Sequence, residues 1–288
     1  MRVAIIGGSG KMGRWFANFL LKDGKEVVIT GRDEKKLAEA GQQLGVEVAT
    51  NREAVRNADV ILLSVPIDSF ESVVKEIAPW LTPNQIIMDI TSVKGSTVDI
   101  MHQYIKTGLV LGVHPMFGPG ARDITNQNFV LTPTDEKELA LANKVKQYLV
   151  AHGARVTLMT PREHDEMMAV ILGLAHFIAI VSADTLLSLN RLPEMEAIGG
   201  STYKLLLTLA KGVMTEDAEF YASLQMNLPG VTEIQEQFQR SSATWANIVK
   251  NKNRPEFVRS MNALRDKMAK ADPDFRKAYE NMYRLIGE

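Results

Sequence analysis

Residues 2–13 read Arg2-Val3-Ala4-Ile5-Ile6-Gly7-Gly8-Ser9-Gly10-Lys11-Met12-Gly13. A short apolar run breaks into glycines and opens directly onto an amphipathic stretch, which predicts strand, tight turn and helix in succession. Within it, Gly8, Gly10 and Gly13 carry the spacing of a phosphate-cradling turn. Such glycines allow the turn itself, the close approach of a pyrophosphate to backbone N–H groups, and the packing of helix on strand. The following helix N-terminus supplies partial positive charge toward the phosphates. Gly8, Ser9, Gly10, Lys11, Met12 and Gly13 are therefore candidate dinucleotide-binding residues.

The pattern continues outward. Short apolar runs at 2–6, 26–30, 46–49, 59–64, 86–90, 109–113, 128–132 and 154–158 alternate with amphipathic stretches at 11–23, 33–44, 51–56, 68–80, 96–106 and 135–152. That alternation predicts an α/β Rossmann-like N-terminal domain with a mainly parallel sheet over residues 1–160. Past residue 160 the strand signal stops. Helical patterns follow at 163–189, 194–213, 216–228, 230–252, 254–271 and 273–286, with Pro161, Pro193, Pro229, Pro255 and Pro273 near the starts. Residues 161–288 are thus expected to form an all-α C-terminal domain that pairs two copies into a homodimer. The 14 methionines could suit an adaptable surface, but at helical spacing they read as ordinary core filling.

Composition narrows the function. With 288 residues the chain is long enough for two cores. It has no cysteine, which removes disulfides, thiolate nucleophiles and zinc–thiolate sites and agrees with a reducing compartment. Lys and Arg total 33 against 34 Asp and Glu, so no global field recruits nucleic acid or acidic lipid. The N-terminus runs into glycines too early for a signal-peptide core, and no uncharged run is expected to approach the roughly 18–20 residues of a membrane span. The expectation is a soluble, cytoplasmic, globular protein with neither nucleic acid nor membrane as partner, and nothing so far names an activity.

The second strand selects the cofactor. Dinucleotide folds that take NAD usually end this strand in an acid that holds the ribose 2′-hydroxyl. Here the segment is Val28-Ile29-Thr30-Gly31-Arg32-Asp33. Glycine stands where the acid is expected, and the Arg32 guanidinium suits a 2′-phosphate, which favours NADP over NAD. Asp33 is either a ribose ligand or the N-cap of the next helix. Two further strand ends, Ser64-Val65-Pro66 and Thr91-Ser92-Val93-Lys94, fall where open α/β sheets bind ligands. Lys11 and Arg32 would bring local positive charge to a phosphorylated cofactor.

The chain has five histidines. His102 and His152 sit near helix C-termini, where a solvated role is expected. His164 lies in the charged stretch Arg162-Glu163-His164-Asp165-Glu166 and reads as surface. No HxxxH or HExxH spacing supports a metal site. His114 follows the run 109–113 and opens His114-Pro115-Met116-Phe117-Gly118-Pro119, a rigid turn at a strand's carboxyl end that suits acid–base work.

Taken together, the sequence resembles the prephenate/arogenate dehydrogenase (TyrA) family. Four segments carry the resemblance in order: Gly8-Ser9-Gly10-Lys11-Met12-Gly13, Asp89-Ile90-Thr91-Ser92-Val93-Lys94, Gly112-Val113-His114-Pro115-Met116-Phe117-Gly118-Pro119 and Gly173-Leu174-Ala175-His176-Phe177. The resemblance implies NAD(P)-dependent oxidative decarboxylation of prephenate or arogenate in tyrosine biosynthesis. It implies that His114 accepts the proton of the ring hydroxyl and that Ser92 holds hydroxyl and histidine in register. Lys94 would place positive charge near a dicarboxylate, and His176 would contact substrate from the helical half; by spacing alone His176 is a core histidine. Where the family carries a carboxylate-binding arginine this chain has Gly212, so Lys211 or Lys204 is expected to take over. Two other readings suit the motifs: another two-domain NADP-dependent dehydrogenase or imine reductase acting on a small carboxylate, and a catalytically silent NADP sensor.

Overall fold

A computed structural model describes residues 1–285 and 287. The chain divides into two compact units, residues 1–168 with 226–228, and residues 169–225 with 229–288.

The first unit alternates β1 (Arg2–Ile6), α1 (Lys11–Lys22), β2 (Glu26–Ile29), α2 (Glu34–Leu44), β3 (Glu47–Val48), α3 (Asn51–Arg56), β4 (Val60–Leu63), α4 (Ile67–Ile77), β5 (Ile86–Asp89), α5 (Gly95–Tyr104), β6 (Leu109–Pro115), β7 (Asn128–Thr132), α6 (Glu136–Ala151), β8 (Arg155–Leu158) and α7 (Pro161–Met168). The eight strands form one sheet in the order β3-β2-β1-β4-β5-β6-β7-β8. Every neighbouring pair is parallel except β6 with β7, which run antiparallel. The order reverses between β1 and β4, and this is the switch point at which a doubly wound sheet opens a crevice.

Alternate strand residues feed two separate cores. Val3, Ile5, Val27, Ile29, Leu62 and Leu111 pack with Phe16 and Leu20 of α1 and Leu141 and Leu149 of α6. Ala4, Ile6, Val28, Ile61, Leu63 and Ile87 pack on the other face with Phe70 and Val74 of α4 and Met101 of α5. A strand buried on both faces must be apolar throughout, which is why Val60-Ile61-Leu62-Leu63 reads as an unbroken run.

The second unit begins with a π-helical segment, Ala169–Leu174, followed by α8 (Ala175–Ser188), α9 (Leu192–Ile198), α10 (Ser201–Met214), α11 (Ala218–Asn227), α12 (Val231–Lys250), α13 (Arg254–Ala271) and α14 (Ala278–Leu285). Helices α8 and α10 pack together, and α12 packs against the π-helical segment. There Val231 fills the space that a side chain on Gly173 would occupy.

Several boundaries differ from the sequence reading. The stretch 194–213 is two helices, parted at Gly199-Gly200, and 68–80 ends in a 3-10 turn at Ala78–Trp80 around Pro79. The stretch 273–286 is a 3-10 turn at Phe275–Lys277 followed by α14, while Ile286 lies outside the described residues. Strand β6 runs two residues further than its apolar pattern, because β7 pairs with it through His114 and Pro115. The membrane expectation also needs correction: Pro161–Ser188 is a helical run of 28 residues with a window of mean hydropathy 2.0, long and apolar enough to cross a membrane by composition. Residues 167–183 hold no Asp, Glu, Lys or Arg, a run that the sequence reading passed over.

Candidate active site

The carboxyl ends of β1, β4, β5 and β6 bring most of the expected residues to one edge of the sheet. After β1 the chain turns at Gly7, whose φ of +82° lies in the left-handed region open to glycine. A Cβ there would stand 2.2 Å from the Ser64 carbonyl oxygen, and one on Gly13 would stand 2.6 Å from the Gly7 carbonyl. The turn after β1 and the end of β4 thus touch backbone to backbone. Gly10 caps α1 with no side-chain hydrogen bond, which leaves the first-turn amides of Lys11, Met12 and Gly13 to an anionic group. This cradle fits a pyrophosphate. Gly7 was not singled out by the sequence spacing, although it carries the strained turn.

At the end of β2, a Cβ on Gly31 would stand 2.4 Å from the Ser9 hydroxyl, so a side chain there would require Ser9 to turn aside. Asp33 is the N-cap of α2, its carboxylate accepting from the Lys36 N–H at 3.0 Å. Arg32 is exposed just before it. Beyond β4, Ser64 and Val65 are half-buried and Pro66 is exposed.

The loop after β5 is internally bonded. Asp89 is wholly buried, with its Oδ1 accepting from the Thr91 N–H at 3.0 Å and lying 2.6 Å from the Thr91 hydroxyl. Thr91 is thereby committed to shaping this loop. Lys94 is also wholly buried; its ammonium pairs with Asp89 and donates to the Val113 carbonyl at 2.9 Å. This corrects the expectation of an ammonium open to substrate, since the charge acts here through the protein interior. Burial pulls the Lys94 pKa below the ordinary lysine range, against the attraction of Asp89. Removing one member of such a pair strands the other, at a cost of about 3–5 kcal/mol. Ser92 is half-buried.

His114 is only 4% exposed and lies inside β6, opposite Val130, rather than in the turn beyond the strand. Its Nδ1 is 2.7 Å from Nε2 of His164, and Nδ1 of His164 is 2.8 Å from Oδ1 of Asp165. Asp165 in turn accepts the backbone N–H groups of Lys94 and Gly95, each at 2.8 Å, which caps α5. Burial, followed by the His164 and Lys94 charges, holds the His114 pKa well below the usual imidazole range. Burial also lowers that of His164. The loop that follows is anchored over α1: the Phe117 ring lies 4.7 Å from that of Trp15, whose indole N–H donates to the Ala121 carbonyl at 2.7 Å.

The surface assignment of His164 is therefore overturned. His164 and Asp165 are the site residues missed in the sequence, hidden by the charges around them. A signal was present: Met168 lies one helical turn beyond His164, and His164, Asp165 and Met168 form the buried face of α7. The other two histidines are less solvated than expected. His102 Nε2 lies 2.5 Å from the buried Glu138 carboxylate, and His152 contacts Asp23 and the Tyr148 carbonyl. Among the described residues no cluster of His, Asp and Glu forms a metal site.

The remaining candidates belong to the helical unit. The half-buried His176 stacks edge-on against Tyr221 at 4.9 Å, and its buried Nδ1 has no hydrogen-bond partner. Burial lowers its pKa. Lys211 is not a spare cation, because its ammonium pairs with Glu196. Lys204 and Lys211 line a cavity of about 170 Å³ with Glu196, Tyr203, Leu207 and Thr208, where the buried Tyr203 hydroxyl also lacks a partner.

Residues 16–158 match the family model for the prephenate dehydrogenase nucleotide-binding domain, and residues 160–263 match that for the prephenate dehydrogenase dimerization domain. The chain is 36% identical over 265 residues to a probable arogenate/prephenate dehydrogenase of Methanocaldococcus jannaschii, covering 91% of this chain and 59% of that protein. It is 28% identical to the T-protein of Haemophilus influenzae, covering 92% of this chain and 66% of that protein. The chain thus spans about three-fifths to two-thirds of these relatives. In fold it is similar to a prephenate dehydrogenase from Aquifex aeolicus, solved with hydroxyphenyl propionate and NAD+, with a TM-score of 0.76 and 23% identity over 94% of this chain and 98% of that one. With both family domains matched in order along its two units, the chain belongs to the prephenate/arogenate dehydrogenase (TyrA) family.

Proposed function

We propose that this protein carries out NAD(P)-dependent oxidative decarboxylation of prephenate or arogenate toward tyrosine, with NADP preferred. The observation that carries the reading is His114: a buried, uncharged imidazole at the carboxyl edge of the sheet, beside the switch-point crevice. Its neutrality matters, because only a neutral imidazole can accept the proton of a ring hydroxyl at physiological pH.

The residues divide the work as follows. Gly8, Ser9, Gly10, Lys11, Met12 and Gly13 would hold the pyrophosphate, with Ser64, Val65, Pro66 and Thr91 shaping the crevice edge. Arg32 would grip a 2′-phosphate; glycine at position 31 leaves this strand end without the acid that selects NAD, and Asp33 is engaged as an N-cap. A bound nicotinamide would accept hydride from the ring carbon that bears the hydroxyl. His114 takes the hydroxyl proton as the C–O bond becomes a carbonyl, and Ser92 keeps the hydroxyl in register. Loss of the ring carboxylate as carbon dioxide then aromatises the ring. Lys94, wholly buried and paired with Asp89, lies too deep to bind the substrate itself. His176, with its unpartnered Nδ1, and the cavity of Lys204 and Lys211 are read as anion- and substrate-binding groups of the helical unit. We place the reaction in the cytoplasm and in a homodimer, which the dimerization-domain match and the exposed apolar side chains of α8 support.

The decisive measurement is absorbance of the reduced nicotinamide with purified protein, prephenate or arogenate, and NAD or NADP. Turnover with at least one pairing is expected, faster with NADP; none with any of the four would sink the proposal. His114→Asn is expected to lower kcat by about 10²–10⁴-fold while NADP affinity stays unchanged. Loss of NADP binding in that variant would contradict the role.

A further inference from the structure

Two side chains, His164 and Asp165, stand in line behind the proposed base, and their order fixes where its proton sits. Asp165 accepts from the backbone N–H groups of Lys94 and Gly95 at 2.8 Å each, and His164 Nδ1 lies 2.8 Å from the same carboxylate. Two backbone donors already fix both oxygens of this side chain, and a carboxylate only accepts. The proton of His164 is therefore on Nδ1. A neutral imidazole carries one N–H, so Nε2 of His164 is a bare acceptor. Nδ1 of His114, 2.7 Å away, must then donate to it. His114 is left with a bare lone pair on Nε2, the nitrogen turned from this chain of bonds.

We propose that His164 and Asp165 are positioning residues that lock His114 into the Nδ1–H tautomer and so make its Nε2 the proton acceptor of the reaction. The logic is that of a base oriented by a further group whose own orientation is set by a carboxylate. In water the Nε2–H tautomer competes freely, and a ring in that form has its proton where the substrate hydroxyl must donate. Neutral His164 is essential to the lock. Were His164 protonated, its Nε2 would donate to His114 Nδ1, and the single proton of His114 would move to Nε2 and block the base. The groups that face this pair are Lys94, ahead of α5, and Asp89, at the end of β5, besides Asp165 on α7 itself. Burial of His164 and the Lys94 ammonium disfavour its charged form, while Asp165 and Asp89 favour it. Lys94 thus guards the neutrality of the relay from inside the protein, which gives a purpose to an ammonium buried where no substrate reaches it.

The kinetic half of this inference rests on the proposed reaction; the tautomer itself does not. In the full-length chain with ¹⁵N-labelled histidine, long-range ¹H–¹⁵N correlation spectra distinguish protonated from bare ring nitrogens, with His114→Asn assigning the His114 signals. His114 is expected to show a protonated Nδ1 and a bare Nε2 in the wild type. A protonated Nε2 there would overturn the proposal, whether or not the protein turns over prephenate. His164→Leu removes the acceptor at nearly constant volume. It is expected to let the His114 ring populate the Nε2–H form and to lower kcat by about 10²-fold, leaving KM and NADP affinity unchanged. His164→Gln, whose side-chain oxygen can accept from Nδ1, is expected to restore at least tenfold of that loss. An unchanged kcat in folded His164→Leu would overturn the proposal, as would a Gln variant no better than Leu. If His164→Leu fails to fold, the wild-type spectrum and the Gln variant still decide. Wild type without turnover on any substrate, but with the expected spectrum, would retire the reaction and keep the tautomer lock.

Discussion

The two units of this protein solve the burial problem in opposite ways. In the dinucleotide-type unit, strand residues feed two complete cores, and even its ionisable groups are enclosed and bonded: Asp89 with Lys94, Asp165 with His164 and His114. In the helical unit, Val170, Ile171, Val181, Leu187, Leu189, Ile198, Leu209 and Met214 are exposed, and the fully buried positions of α8 are the alanines Ala179 and Ala183. Only 17% of the most apolar window of Pro161–Ser188 is buried within the chain. A sheet covered on both faces closes on itself. A helical layer with small residues inward and large ones outward is a surface waiting for another surface.

This contrast can be broken or sharpened by three measurements. The largest effect is expected in the closed unit: Phe70→Ala, at a fully buried ring under the sheet, should cost about 3–5 kcal/mol in urea unfolding. A cost below about 1 kcal/mol would mean that the core of this unit is less closed than its packing implies. Next comes Leu187→Asp, on the open face of α8. If a second copy covers this residue, the variant should sediment as a monomer and raise the dimer Kd by about 30-fold, or ~2 kcal/mol. If the residue faces solvent, assembly stays unchanged and stability moves by less than about 0.5 kcal/mol.

The smallest effect separates the histidines. Burial lowers the pKa of His114, His164 and His176, so the unfolded chain takes up protons that the folded chain refuses. Stability is then fully present above the ordinary imidazole pKa of about 6.5 and is lost as pH falls below it. His152 acts in the opposite sense, because the Tyr148 carbonyl and then Asp23 raise its pKa against burial. Urea midpoints at pH 7.5 and 5.5 should therefore fall toward acid. His176→Gln should remove about 1 kcal/mol or less of that fall, leaving the larger share to the enclosed pair in the first unit. A variant that abolished the whole slope would place the acid sensitivity in the helical unit.

Much of the site was legible in the chain. The glycines of 7–13 declared a turn, because phosphate cradles need backbone without side chains. His114 stood out because it follows an apolar strand and precedes a proline. The reading weakened where charge was taken as a sign of solvent. Glu163-His164-Asp165-Glu166 reads as a hydrated surface until the helix is turned to show which side faces the sheet. Lys94 misled for the same reason, since a lysine at a strand end looks like a ligand until its partner, five residues away, is seen to be buried with it.

What the sequence determined by itself were the periodicities: strand and helix alternation, the phosphate-type turn, the shift to helix near residue 160 and the family motifs. These are local, set by spacing along the chain. What only the tertiary structure decided were the pairings: Gly7 against Ser64, Lys94 with Asp89, and the line from Asp165 through His164 to His114. Those contacts join residues up to 71 positions apart, as in Asp165 with the Lys94 amide. No local pattern encodes a hydrogen bond across that distance; it exists because the sheet and α7 bring buried polar groups together, where each must find a partner or leave a desolvated charge uncompensated.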